Sequence, residues 1–191
     1  MKQQIRKAET LKALQTAASR AFRSQGYSGT GVDGIAKQAG ATSGAFYAHL
    51  GSKDRAFQTA LELGLNEVIE AIPDYQARHG KNWPEAFARY YLGAAHRKDR
   101  ACGCAMTALS PDVVRASAET RSLFEEKMKT ITGLIADGLE TGDDEDRAAK
   151  AWAFLSILIG ALTTARALAS EAQAEKVAAA ALHAALTIVA R

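Results

Sequence analysis

Three glycines, Gly26, Gly40 and Gly51, cut the first 60 residues into short helical runs. Leu11, Leu14, Ala18 and Phe22 fall at i, i+3, i+7 and i+11, which draws one apolar stripe on a helix over 7–25. Gly26 supplies its left-handed stop. After a short turn, Thr30 and Asp33 stand at near capping-box spacing and open a second helix to about Ala39, which Gly40 ends. Thr42 caps a third over Ser43–Leu50, Gly51 stops it, and Ser52 caps a long fourth beginning at Lys53. Three helices in about 45 residues, the last two joined by Gly40 and Ala41 alone, make a helix-turn-helix.

The same segment contains "GTGVDG" at 29–34, which has the G-x-G-x-x-G spacing of a dinucleotide-binding loop. That chemistry needs a strand entering the loop and a helix leaving it. Here a helix enters, and Gly34 falls inside the second helix, so the glycines are punctuation. Elsewhere Val, Ile, Thr and aromatic residues never gather into alternating runs, while alanine dominates the second half. The expected fold class is therefore all-α.

Charge divides the chain unevenly. Residues 1–60 carry nine Lys or Arg against three Asp or Glu, whereas the remaining 131 carry 15 against 18. A basic N-terminal part suggests a polyanionic partner, nucleic acid before membrane, and equally suits a solvated basic face. The start "MKQQIRKAET" lacks the apolar core of a signal peptide, which predicts a cytoplasmic protein. The longest charge-free apolar segment, 151–165, is 15 residues, shorter than the roughly 20 of a membrane span, so no membrane partner is expected.

Further along, Phe57, Leu61, Leu65, Val68 or Ile69, and Ile72 repeat at helical spacing until Pro73, where the helix is predicted to stop. "NWPEAF" predicts a helix capped by Asn82 that runs to about Lys98, followed by a break at "RKDRACG". A short helix over 104–110, a longer one from near Ser117 to Leu139, and two terminal helices complete the expectation. "GDDED" forms a turn that places acid at the N-terminus of the first terminal helix. That helix is apolar on two faces, Trp152, Leu155, Ile159 and Leu162 on one and Phe154, Leu158, Ala161 and Ala165 on the other, so both faces should be covered. With an alanine-rich last helix it suits a homodimer joined by a four-helix bundle, or an ordinary monomer core.

Residues Thr30 to Phe57, "TGVDGIAKQAGATSGAFYAHLGSKDRAF", closely resemble the DNA-binding segment of the tetracycline-repressor (TetR) family, over roughly residues 5–58. The chain departs from the family pattern at Gly34, Ala41 and Ser43, where an acidic residue, Val and Lys are common. The resemblance implies a DNA-binding domain over 1–52 and a helical ligand-binding and dimerisation domain over 53–191. It implies a ligand-responsive regulator, most often a repressor, that leaves a palindromic operator on double-stranded DNA when a small-molecule effector binds. By physics alone, small residues at the start of the third helix let it enter a major groove about 12 Å wide. Thr42 and Ser43 offer hydroxyls, Ala45 a methyl, and Gly44 close backbone approach. By the family pattern Tyr47, His49 and Lys53 contact phosphates; Thr30 completes the candidate DNA-binding set. Core packing of Tyr47 and solvation of His49 and Lys53 are the plain alternatives.

For the effector, candidate lining residues are Leu65, Ile69, Trp83, Phe87, Tyr90 and Tyr91, together with Met106, Phe124, Met128 and Trp152. Each is equally an ordinary core residue; their softness favours an apolar or aromatic ligand, with Arg166 or His96 able to face a polar group. Cys102 and Cys104, beside Arg97, Lys98 and Arg100, raise the alternative of a redox or electrophile sensor. An all-helical ligand carrier is another. No G-x-S-x-G, H-E-x-x-H, P-loop or catalytic triad occurs, and His96, Cys102 and Cys104 lack a fourth metal ligand. No enzyme activity, cofactor or metal is expected.

Overall fold

A computed structural model describes residues 2–190, with side chains from residue 3. Among the described residues there are ten α-helices and no strand: α1 Lys2–Gly29, α2 Val32–Gln38, α3 Ser43–Leu50, α4 Lys53–His79, α5 Trp83–Leu92, α6 Ala94–Lys98, α7 Ala105–Val113, α8 Ala118–Asp137, α9 Asp144–Ala167 and α10 Glu171–Ala190. The fold class is all-α, with an N-terminal helix-turn-helix.

Several boundaries follow from local chemistry. Gly26, Gly40 and Gly51 take φ of 71°, 65° and 77°, the left-handed region that favours glycine. Thr42 accepts from the Ala45 amide at 3.2 Å, Ser52 from Arg55 at 3.1 Å and Asp143 from Asp146 at 2.9 Å, each satisfying an orphan N–H of a helix start.

Other boundaries differ from expectation. Thr30 does not cap α2: Gly31 is the N-cap, with no side-chain bond, because the Thr30 hydroxyl turns back to donate to the Gly26 carbonyl at 2.7 Å. Pro73 does not end α4. The proline is exposed, and the next turn is held from outside: Tyr75 packs edge-on to Phe87 at 5.4 Å and Gln76 donates to the Leu134 carbonyl at 2.7 Å. Pro111 likewise sits inside α7. The helix expected through Lys98 breaks at Gly93, whose extended backbone separates α5 from α6.

The chain forms two compact units. The first runs up to Gly64 and includes Ala101–Phe124; the second is Leu65–Arg100 with the residues from Glu125 onward. Compactness thus draws its line at Gly64, whereas the expected boundary stood at Ser52. In the first unit, Leu14, Phe22, Ile35, Phe46, Leu61 and Leu109 are fully buried, and Phe22 meets Phe57 edge-to-face at 5.3 Å. Arg23 is buried there and donates to the carbonyls of Cys102 and Gly103 at 3.1 and 3.0 Å. Gly64 closes this packing: a Cβ at that position would overlap the Ala105 methyl and lie 2.6 Å from Arg23 Nη2.

In the second unit, Trp83 donates to the Gly138 carbonyl at 2.8 Å and packs near Phe154, with ring centres 6.3 Å apart. Two arginines hold α6. Arg97 reaches Glu171 and Glu175 at 2.8 and 2.5 Å, and Arg166 binds the carbonyls of His96, Arg97 and Asp99 at 2.9, 3.2 and 2.9 Å. Helix α9 is long and apolar enough to cross a membrane by length and composition, which the 15-residue segment had not suggested. Phe154, Leu155, Leu158 and Leu162 of α9 are fully buried. Its other face is open rather than covered in the single chain: Trp152, Ser156, Gly160 and Thr163 are exposed.

Candidate nucleic-acid interface

Helices α2 and α3 meet through a turn in which the Ala41 amide reaches the Ala36 carbonyl at 2.9 Å and the Gly40 amide the Lys37 carbonyl at 3.1 Å. A side-chain tie spans the turn as well, the Ser43 hydroxyl donating to Asp33 at 2.5 Å. Phe46 and Leu50 anchor α3 in the core, because their i, i+4 spacing puts both on one face. The opposite face is open: Thr42, Gly44, Tyr47 and Ala48 are exposed, and Ser43, Ala45 and His49 half-buried.

Gly44 is not required by the fold. A Cβ built there would meet nothing nearer than Thr42 Oγ1 at 3.8 Å, an ordinary contact, and a helix interior prefers alanine. The space above it is free for another molecule. Tyr47, 54% exposed, leans edge-on against Phe46. Seven of the eight candidate DNA-contact residues therefore lie on or beside one short exposed rod or at the start of α4. Thr30 does not join them: it is 2% exposed and its hydroxyl is committed to Gly26, so the inward turn of its side chain removes it from the surface.

Sequence reasoning missed Tyr27. The Lys53 ammonium lies over its ring at 4.3 Å, and its hydroxyl donates to Asp54. That hydrogen bond, then burial and the carboxylate's charge, push the Tyr27 phenol up to about 12. Tyr27 thus orients the basic residue at the start of α4. An aromatic residue directly after the left-handed glycine that kinks α1 was the available signal.

Residues 14–58 match the family described as bacterial regulatory proteins, tetR family. Over this segment the chain is similar to the TetR family. Over 70 residues it is 39% identical to the HTH-type transcriptional regulator AcrR of Shigella flexneri, a match covering 37% of this chain and 33% of that one; it spans about a third of that relative's length. The fold is similar to the reduced form of NemR from E. coli, with TM-score 0.80, 18% identity and coverage of 94% and 96%. It is also similar to FadR from Bacillus subtilis in complex with stearoyl-CoA, with TM-score 0.70, 16% identity and coverage of 93% and 97%.

The expected effector-lining residues fall in both units. Met106 and Phe124 belong to the first unit, the other eight to the second. Leu65, Trp83, Phe87, Tyr91 and Met128 are buried and Ile69 half-buried, whereas Tyr90 and Trp152 are exposed, at 56% and 44%. Tyr90 and Trp152 lie outside because α5 and α9 each turn a different face inward. The polar candidates are engaged too: Arg166 binds the α6 carbonyls, and burial, then Arg166's charge, push His96 down to about 4. Cys102 is exposed and Cys104 buried, so the two thiols do not present together.

Proposed function

We propose that the chain is a sequence-specific transcription regulator, a repressor that holds a palindromic operator as a homodimer in the cytoplasm and releases it when a small apolar or aromatic ligand binds. It carries no catalytic role in this reading. The observation that carries it is the start of α3, where small, sterically open residues stand on a capped rod whose other face is locked into the core.

Thr42, Ser43, Gly44 and Ala45 meet base edges in the major groove, and Tyr47, His49 and Lys53 neutralise or hydrogen-bond phosphates. The exposed stripe on α9, together with α10, supplies the surface for a second copy. Leu65, Ile69, Trp83, Phe87, Tyr91 and Met128 offer the apolar and aromatic lining for the effector in the second unit, and the stearoyl-CoA in FadR supports an apolar one. An effector that prefers the DNA-incompetent form by about 1–3 kcal/mol weakens the operator about 5- to 150-fold.

Selection from a random duplex pool, followed by anisotropy titrations at several salt concentrations, tests the reading. The expected result is an inverted repeat bound with a steep salt dependence. Equal binding to every duplex at low salt overturns it.

A further inference from the structure

The first unit holds a cavity of about 720 Å³. Its walls are the end of α1 (Tyr27, Ser28), the first turns of α4 (residues 54–58) and the segment 112–120 that joins α7 to α8. The volume falls in the roughly 300–1,000 Å³ range of small-molecule sites. None of the ten residues expected to line an effector site takes part in it.

The inner surface is aromatic and hydrogen-bonding. Phe57 is buried and sits edge-on to Tyr27 at 5.4 Å, and Thr120, also buried, accepts from Gln58 at 3.0 Å. Charge within the walls leans negative, with Asp54, Asp112 and Glu119 against Arg55 and Arg115. The Asp112 side chain is 13% exposed, with one oxygen taking the Tyr27 amide at 2.8 Å and the other meeting Arg115 at 3.2 Å, while Asp54, Glu119 and Arg55 stand exposed at the rim. The Lys53 ammonium over the Tyr27 ring shows the chain's own cation already using the aromatic face.

We propose that this cavity is a second effector site, distinct from the apolar one assigned to the second unit, and that it takes a small organic cation with an aromatic body. The aromatic part lies against Phe57 and Tyr27, and the ammonium faces Asp54 and Glu119. Asp54 is the residue next to Lys53 and the acceptor of the Tyr27 hydroxyl, so an occupant that draws on Asp54 acts directly on the start of α4.

The test is calorimetric titration of the full chain, without DNA, using phenethylammonium and the anion 3-phenylpropionate as probes. Three proteins are compared: the parent chain, Ala116→Phe, which fills the cavity, and Glu119→Gln. The cation should bind about tenfold or more tighter than the anion, lose that binding in Ala116→Phe, and weaken several-fold in Glu119→Gln. Thermal melting checks the variants; should Ala116→Phe fail to fold, Glu119→Gln and Asp54→Asn decide. Absent cation binding, an equal or stronger anion, or unaltered affinity in the folded variants overturns the proposal. Because no DNA is present, either outcome leaves the operator reading to its own titration.

Discussion

Two glycines in the same compact unit stand in opposite surroundings. At Gly64 the neighbouring Ala105 methyl and Arg23 guanidinium leave no room for even one more carbon. At Gly44, on α3, an added carbon would meet only Thr42 Oγ1, at an ordinary 3.8 Å. The first glycine is explained entirely by the protein's own packing, while the second costs helix stability and gains nothing within the chain. A residue that the fold does not need leaves room for something outside the fold, which in the proposed function is the floor of a groove in duplex DNA.

The largest expected effect breaks the crowded side of this comparison. Gly64→Ala forces a methyl against a helix-borne methyl and an arginine held by two carbonyls, and should cost about 1–3 kcal/mol. Thermal or denaturant unfolding measures it; an unchanged midpoint shows that the packing yields.

In the second unit, His96 extends the same logic to charge. Its folded pKa is lowered to about 4 while the unfolded value is about 6.5. The unfolded chain therefore takes up a proton first as pH falls, so this contribution to stability is complete above pH 6.5 and declines from there toward pH 4. His96→Gln should flatten the melting temperature across that window. Equal slopes in the two proteins refute the assignment.

Gly44→Ala tests the open side. Stability should hold or rise by up to about 1 kcal/mol, while operator affinity falls about tenfold or more. Tighter DNA binding by this variant ends the contrast with Gly64. The smallest effect is expected at Lys53→Gln, which should weaken all duplexes alike and reduce the log–log salt slope by about 1. A change confined to one operator sequence shows instead that Lys53 reads bases.

Much of the first unit was legible from local signals. The left-handed breaks at Gly26, Gly40 and Gly51 and the caps at Thr42 and Ser52 depend on one or two residues' own chemistry, so spacing alone placed them. Pro73 and Pro111 misled for the converse reason. A proline removes one amide bond from its helix, yet Tyr75 and Gln76 hold the turn after Pro73 through residues far along the chain. Thr30 looked like a cap, and a carbonyl four residues back claimed its hydroxyl. The crowding at Gly64 and the pairing of Tyr27 with Lys53 and Asp54 depend on three-dimensional neighbours that no spacing in one sequence encodes. Hydrophobicity marked burial at Leu65, Trp83, Phe87, Tyr91 and Met128 and is silent on which cavity a residue lines.

The bond from Ser43 to Asp33 has a kinetic meaning. With α2 and α3 clipped together on both sides of their turn, α3 in the proposed function meets a duplex already shaped, and little further freedom is lost on contact. Encounter then becomes a matter of docking a finished surface, and discrimination between sequences shows chiefly in how long each complex lasts.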